Sequence, residues 1–408
     1  MYAEQSRHSG RRMVSFLTLT LSLGLAACGG EATASRADLQ VDTIGSVVYF
    51  RHGAPPLADT LQPLLTIGTA AAVEVGAPDE FGRIPSVALG PDGNLYVADS
   101  QASEIRVFSA NGDFLRAFGR SGSGPEEFLA LYSLAFLGDT LLAMDSGNAR
   151  ITLLDLSGRQ VDTWPWYPLT GPANLVRFYP AGAGEVYTLE LRSGPGPRGP
   201  KYARLTAAGA GDTLSYPPAG ERPQTSLVCP GSGGMISFFS VPFGASQISV
   251  PAPDGLLASA WSADYRIALI RPSGDTVRVI ERAYQPLPIS DEEWEEGTRE
   301  FREFRERFPG TRCTPEGLQR PAYKAALEGI YFDAAGRMVV EVTADGMTRY
   351  DYYDTDGRAI ETVYTPPRDP QAAPYFRDGT IAQVVRDAMD VQGVQVLQRG
   401  EAPGATGR

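Results

Sequence analysis

Few residues in this chain have the types and spacing that catalysis or metal binding requires. Histidine occurs only at His8 and His52; His8 falls in a leader segment, and His52 lies outside the repeats, where we expect a surface position. A multi-histidine zinc site, a Ser-His-Asp triad and a Cys-His pair all need histidine beside other reactive groups. The absence of such histidines argues against a zinc site and against catalysis by histidine. We predict no metal site and no cofactor. The sequence favours a protein that is not an enzyme, without deciding the question.

Two aspartates, Asp99 and Asp145, invite a catalytic interpretation because each ends an apolar run. The runs read VAD and AMD, and a serine follows each of them. A carboxylate at the end of a strand accepts hydrogen bonds from the backbone N–H groups of the next turn. We favour this structural role and predict no catalytic residue.

The segment from Arg83 to Gly119 shows which elements carry such aspartates. It contains four short apolar runs, SVAL, NLYVA, EIRVF and FLRAF. Asp92-Gly93 separates the first two runs and Asn111-Gly112 separates the last two, and both dipeptides favour the positive φ values of hairpin turns. The pattern predicts a four-stranded antiparallel meander, which needs neighbouring units to bury its faces.

A second copy of this pattern follows directly. PDEF at 78–81 returns as PEEF at 125–128, and VADS at 97–100 returns as AMDS at 143–146. A repeat of about 40 to 50 residues with four strands is typical of β-propeller blades. A β-sandwich with chance similarity is the alternative.

The repeat also resembles a known family. Its pattern PxEF, DGxLYVADSxxxxIRVF and NGxFLRxFG looks like the NHL-type propeller repeat, and the whole chain is similar to bacterial six-bladed β-propeller lipoproteins. The resemblance implies an all-β fold, a six-bladed β-propeller of four-stranded antiparallel blades. It says almost nothing about a ligand.

The later blades are placed by strand spacing. Blades three, four and five fall at 174–216, 247–284 and 326–364. Blade six, which starts near Tyr375, offers one strand too few before the chain ends. The run at 61–68 ends in Ile-Gly as the outer strand of blade one ends in Phe-Gly, so we predict that this N-terminal strand closes the ring. The partner of another strand-like run, VVYF at 47–50, stays unassigned.

The first 27 residues have the organisation of a lipoprotein signal peptide. Arginines precede an apolar stretch from Val14 to Ala27, which is too short to span a bilayer. The stretch ends in Leu-Ala-Ala followed by Cys28, which looks like a bacterial lipobox. This resemblance implies acylation of Cys28 and insertion of its acyl chains into a membrane. A plain secretion signal is the alternative.

Four segments follow from these patterns. We expect a signal peptide at 1–27, a flexible tether at 28–42, one propeller domain at 43–400 with a helical insertion near 290–308, and a disordered tail at 401–408. The formal net charge of −12 argues against nucleic acid as a partner, because phosphate binding needs a basic surface. We expect an exported, membrane-anchored protein in the periplasm, at an outer membrane or at the cell surface.

The remaining cysteines, Cys229 and Cys313, lie in the two longest insertions, at 217–245 and 285–324. An oxidising compartment favours a disulfide between them, and two separate thiols are the alternative.

The second insertion also predicts a helix, capped by Ser290 or Asp291. Its apolar stripe consists of Trp294, Phe301, Phe304 and Phe308. We expect the stripe to dock the helix on the propeller, and a partner-binding or lid role is the alternative.

Aromatic side chains collect on the face that the long loops form. The residues predicted to line a ligand surface there are Trp166, Tyr167, Phe239, Trp261, Tyr265, Tyr323 and Lys324. Aromatic rings at a propeller mouth can stack on a glycan or hold a peptide, so the expected partner is an unknown protein, peptide or glycan. Packing of the insertions is the alternative role for the same side chains.

The sequence therefore favours a lipid-anchored, exported propeller that acts as a binding or protein-interaction scaffold. An enzyme of the propeller hydrolase or lyase kind, using acids, tyrosine or lysine in place of histidine, is the second hypothesis. Such enzymes often hold calcium in the central channel, but the predicted inner strands here bring Arg177, Arg377 and Asp378 and no ring of acids, so a calcium site there is disfavoured. A structural component of the cell envelope is the third. Fold alone does not choose among them.

Overall fold

Antiparallel strands joined by tight turns account for most of the structure. The computed structural model describes residues 39–55, 59–69, 76–166, 177–180, 185–189, 199–220, 223, 225–230, 236–315 and 317–398. Four strands precede the first blade, namely β1 (Leu39–Ile44), β2 (Val47–His52), β3 (Asp59–Thr60) and β4 (Pro63–Ile67).

The first three blades follow in chain order, each given from its inner strand outward. Blade one contains β5 (Ser86–Leu89), β6 (Leu95–Asp99), β7 (Glu104–Phe108) and β8 (Phe114–Phe118). Blade two contains β9 (Leu131–Leu137), β10 (Thr140–Asp145), β11 (Arg150–Leu154) and β12 (Gln160–Pro165). Blade three contains β13 (Phe178–Pro180), β14 (Val186–Leu189), β15 (Lys201–Thr206) and β16 (Gly209–Ser215).

Two insertions interrupt the later blades. The first forms the ribbon β17 (Ser226–Pro230) and β18 (Ile236–Ser240). Blade four contains β19 (Gln247–Pro251), β20 (Leu257–Trp261), β21 (Arg266–Ile270) and β22 (Thr276–Arg282). The second insertion contains the helices α1 (Asp291–Gly297) and α2 (Arg299–Arg307).

The last two blades complete the ring. Blade five contains β23 (Leu327–Phe332), β24 (Met338–Val342), β25 (Thr348–Tyr353) and β26 (Ala359–Thr365). Blade six contains β27 (Tyr375–Arg377), β28 (Thr380–Arg386), β29 (Gln392–Gln398) and, as its outer strand, β4. The predicted six-bladed propeller and its closure by an N-terminal strand are confirmed.

Glycines that end outer strands show that β4 occupies the same place as the outer strand of blade one. Gly68 follows β4 and Gly119 follows β8, and both have positive φ, at 81° and 99°. A Cβ atom on Gly68 would lie 2.4 Å from the ring of Phe81, and one on Gly119 would lie 2.8 Å from the ring of Phe128. Each phenylalanine of the PxEF repeat therefore packs on the glycine that ends the preceding blade.

The N-terminal segment extends the sheets of three blades in turn. β2 runs parallel to β22 of blade four, β3 runs parallel to β26 of blade five, and β4 runs antiparallel to β29 of blade six. The strand-like run VVYF thus finds its partner in blade four. β1 pairs with β2 and begins at Leu39, so strand structure starts inside the segment that we predicted as a tether.

The two insertions pack on each other around a small core of their own. Leu227, Cys229 and Cys313 are buried together, and Phe239 of β18 packs against Phe301 and Phe304 of α2. The aromatic stripe therefore docks α2 on the ribbon of the first insertion, and not on the propeller blades as we expected. Two helices replace the single predicted helix, and they meet at Thr298, whose hydroxyl donates to the carbonyl of Trp294.

The cap of α1 is Ser290, which accepts from the backbone N–H of Glu293 while the Glu293 carboxylate accepts from the backbone of Ser290. This reciprocal arrangement satisfies two N–H groups at the helix start. Within the described part of the chain, no helix has the length and apolar character needed to cross a bilayer.

Candidate functional site

The axis of the propeller contains a cavity of about 240 Å³. Inner-strand residues of all six blades contribute to its wall, which is mainly apolar and aromatic. Its lining residues include Ser86, Ser133, Arg177, Tyr179, Tyr331, Tyr375, Phe376 and Arg377. This axial cavity is the candidate functional site.

Serine hydroxyls connect the inner strands of blades one, two and three. The Ser86 hydroxyl accepts from the backbone N–H of Leu134 at 3.0 Å, and the Ser133 hydroxyl accepts from the backbone N–H of Phe178 at 3.3 Å. The first donor, Leu134, directly follows Ser133, and the second donor, Phe178, directly follows Arg177. By this register, Arg177 stands in blade three where blades one and two have serine.

The Arg177 side chain reaches the inner strand of blade five. Its guanidinium carbon lies 5.0 Å from the ring centroid of Tyr179 and 4.9 Å from that of Tyr331. Tyr331 belongs to blade five, so this cation–π contact spans the position of blade four. Among the described residues, no carboxylate forms an ion pair with Arg177.

The acidic groups near the cavity have other partners. Glu185 pairs with Arg204 through contacts of 2.6 and 2.7 Å, and the buried Glu341 receives two hydrogen bonds from Arg368, at 2.6 and 2.7 Å. Bidentate pairs of this kind neutralise both charges. Arg177 therefore adds positive charge to the wall that these carboxylates do not balance.

The buried Glu341–Arg368 pair holds Tyr331 in position. Its hydroxyl donates to Glu341 at 2.8 Å. Burial, reinforced by the negative charge of Glu341, raises the pKa of Tyr331 to about 12. The phenol is therefore neutral at physiological pH, and its ring faces Arg177 in a fixed orientation.

Residues of blade six lie along the same cavity. Arg377 donates to the carbonyl of Leu89, the last residue of β5, at 3.0 Å, and it also lies 3.4 Å from the exposed carboxylate of Asp378. Tyr375 extends toward blade two, where its hydroxyl approaches the backbone of Phe136. The cavity is thus bounded by side chains that cross the axis.

Metal-ligating side chains do not converge elsewhere in the described chain. No group of three or more His, Cys, Asp or Glu side chains there is placed to hold a metal ion. Asp99 is buried and accepts backbone N–H groups of Gly82, Arg83, Gln101 and Ala102. Asp145 is buried in the same way in blade two. Both aspartates thus act as turn-capping acceptors, the role that the sequence favours.

Two residues of the predicted aromatic surface are misplaced by the sequence analysis. Trp166 is buried within the core between blades two and three. Tyr265 is buried too, and its hydroxyl lies 2.7 Å from Asp351 and 2.7 Å from the hydroxyl of Tyr353. Both side chains fill blade interfaces, so neither contributes to a ligand surface.

The other members of that set do not converge on one cleft. Phe239 packs on α2, Lys324 pairs with Glu293, and Trp261 lines a side groove next to blade three. Tyr323 is exposed. Tyr167 and Cys28 lie outside the described residues. Cys229 and Cys313 are joined in a disulfide.

His52 is the clearest difference from expectation outside the axial cavity. It was expected at the surface, but it is buried, and its Nε2 atom lies 3.0 Å from the carbonyl oxygen of Gly357. Its ring also packs edge-on against Tyr353. The reason is that β2 lies against blade four, which buries the end of this strand.

Comparison with known proteins supports the fold over part of the chain. Residues 80–169 match the DUF5128 family model, described as a 6-bladed beta-propeller. The range contains all the strands of blades one and two, from β5 to β12. No curated protein matches the chain.

Solved propellers resemble the chain at low sequence identity. An exported protein of unassigned function from Bacteroides fragilis is 11% identical, with 86% of this chain and 99% of that chain covered and a TM-score of 0.45. A DUF4221 member from Bacteroides vulgatus is 8% identical, with 89% and 99% covered and a TM-score of 0.44. Virginiamycin B lyase from Staphylococcus aureus is 12% identical, with 83% and 99% covered and a TM-score of 0.39. Likenesses of this level carry no argument about activity.

Proposed function

We propose that this protein is an exported, lipid-anchored six-bladed propeller that binds a small ligand in its axial cavity. One observation carries the proposal: a cavity of about 240 Å³ on the axis is walled by all six blades, with aromatic side chains and few polar groups. Small-molecule sites have this composition. The axial cavity replaces the loop face as the preferred place of binding, since two of the residues predicted for that face are buried.

Attachment to a membrane rests on the sequence alone. The stretch ending at Ala27 and the cysteine that follows it support acylation of Cys28. We expect the wild-type chain to incorporate labelled palmitate and to fractionate with membranes. Cys28→Ser should do neither, and membrane association of that variant would contradict the anchor.

The binding proposal is tested by filling the cavity. Ala135 lines it and is buried, so Ala135→Trp should abolish binding of fragments from a fluorinated library observed by ¹⁹F NMR. Leu115→Trp adds the same ring on an exposed outer strand and should retain every hit. If Ala135→Trp does not fold, Ala373→Phe fills the cavity from blade six. Hits that survive both filling variants would contradict binding at the axis.

A second role, binding a protein partner beside the long loops, is favoured by a separate observation. β18 leaves Ile236 and Phe238 exposed, at 53% and 70% of their surface, while Phe239 of the same strand packs on α2. The ribbon therefore has one covered and one uncovered apolar face. Replacing both exposed residues by serine should remove partners recovered from envelope extract, and Leu64→Ser, an exposed change on β4, should not.

A further inference from the structure

The arginine at the axis is a departure from the blade repeat. In blades one and two the equivalent position holds Ser86 and Ser133, whose hydroxyls accept a backbone N–H from the next blade. A serine satisfies this role in blade architecture, so construction of the ring does not require Arg177. A side chain that the repeat does not need, in the lining of the axial cavity, suggests a role particular to this protein.

The positive charge of Arg177 is not balanced by a described carboxylate. Removing a guanidinium from water is costly unless an anion or another partner replaces the lost hydration. Tyr179 and Tyr331 supply part of this through their rings, since a cation–π contact contributes roughly 0.5–2 kcal/mol, and through side-chain hydrogen bonds with the guanidinium. The described carboxylates near the cavity, Glu185 and Glu341, are each held by another arginine. The guanidinium therefore has capacity for a ligand anion.

The wall restricts the class of that anion. Inorganic phosphate or sulfate needs several polar donors, whereas this wall offers mainly apolar surface from Val87, Ile330 and Phe376. A carboxylate accepts two parallel N–H bonds from one guanidinium and leaves an apolar body to contact the rings. The cavity is also smaller than the range of about 300–1,000 Å³ typical for drug-sized ligands.

We infer that the axial cavity binds a small organic acid, with its carboxylate on Arg177 and its apolar body against Tyr179, Tyr331 and Phe376. This inference rests on the proposed function and names the ligand class for the same site. Tyr331 acts as a positioning residue, since the Glu341–Arg368 pair fixes its hydroxyl. Arg377 has its own acceptor at Leu89 and is not the anchor.

Matched probes test the charge requirement on the unmodified protein. Phenylacetate and phenylacetamide have nearly the same shape and differ by one charge. Titration calorimetry of the soluble form that begins after Cys28 should show phenylacetate binding at least tenfold more tightly. Its affinity should fall with added salt, as for an ion pair. Equal affinity for acid and amide, or no binding by acetate, benzoate, phenylacetate and 3-phenylpropionate alike, would overturn the inference.

Variants then locate the anchor. Arg177→Gln should remove the preference for acid over amide, Arg177→Lys should retain part of it, and Arg159→Gln, which changes an exposed arginine, should leave it unchanged. A preference that survives Arg177→Gln would assign the charge to another group and overturn the inference. Tight binding of inorganic phosphate would overturn the organic-acid class.

The two proposals fail in different ways. Fragments that lose binding in Ala135→Trp but are neutral or basic would retain axial binding and reject the acid class. Fragments that bind Ala135→Trp as well as wild type would reject both axial binding and the organic-acid class.

Discussion

Ile67 lies directly opposite Val394 in an antiparallel pair that joins the beginning of the chain to its end. Ile67 is buried with Phe81 of the first repeat and with Val384 of blade six. This contact closes the ring, since β4 supplies the outer strand that blade six lacks. An open blade would expose the N–H and C=O groups of β29 to pairing with other chains.

Removal of β4 should therefore destabilise the whole propeller. A chain that begins at Thr69 loses the buried side chains of Phe50, Leu61 and Ile67, each of which contributes about 1.5–3 kcal/mol. We expect a loss of roughly 4.5–9 kcal/mol in urea unfolding, by the same estimate. A chain that begins at Ser46 lacks only β1 and should lose far less. Equal stability of the two truncated chains would contradict closure by β4.

Stability should also depend on pH through His52. Burial lowers the pKa of this imidazole, and the positive charge of Arg282 lowers it further, while the carbonyl of Gly357 and the carboxylates of Asp351 and Asp354 raise it. The folded state therefore disfavours the proton that the unfolded state binds below about pH 6.5. Stability is fully present above that pH and falls as the pH decreases through the lowered value.

The measurement compares urea unfolding of wild type and His52→Gln between pH 7.5 and 5.0, in the soluble form without residues 1–28. Glutamine keeps a hydrogen-bond donor for Gly357 but does not titrate. We expect the wild-type curve to fall more steeply below pH 6.5 than that of the variant. Parallel curves would show that His52 does not couple folding to protonation.

Local patterns in the sequence predicted most of the blades. Turn dipeptides such as Asp92-Gly93 and the alternation of apolar residues fix each hairpin within about ten residues. The end of β4 was recognisable because Ile67-Gly68 matches Phe118-Gly119. These patterns act over a few neighbouring residues, and their recurrence in successive blades made each blade easier to recognise.

Contacts between distant segments could not be predicted in the same way. β2 pairs with β22, some 230 positions later, and no local pattern indicates that pairing, so His52 was wrongly expected at the surface. Tyr265 was assigned to a loop face by its position, but its hydroxyl meets Asp351 of blade five. The sequence around Arg177 likewise did not reveal that this residue stands where blades one and two have serine.

The disulfide between Cys229 and Cys313 should stabilise the insertions more than the propeller. It joins β17 to the segment after α2, across 84 positions of sequence, and a loop of that length corresponds to about 4–5 kcal/mol in the chain-entropy model. Replacing both cysteines by serine should expose residues near α2 to limited proteolysis while the blades resist. Mass spectrometry of the unreduced wild type should show the loss of two hydrogens. Free thiols there would contradict the bond.

The buried charge of Asp351 should be the most sensitive single position in the interface of blades four and five. Its carboxylate is buried and accepts from Arg349 at 2.8 Å, and Arg282 lies 3.0 Å from it. Asp351→Asn leaves both guanidiniums without a buried counterion, which typically costs about 3–5 kcal/mol. Glu296→Gln breaks an exposed pair with Arg299 and should cost less than about 1 kcal/mol.

Urea unfolding of Asp351→Asn and Glu296→Gln at pH 7 compares the free energy lost at a buried ion cluster with that lost at a surface pair. Adding Arg282→Met to Asp351→Asn should recover part of the loss, because the double variant no longer buries that unpaired cation, and neighbouring residues of one network are not additive. A double variant that loses the sum of both single changes would show that the two side chains act independently. In that case Asp351 would stabilise the blades through Arg349, Tyr265 and Thr362 alone.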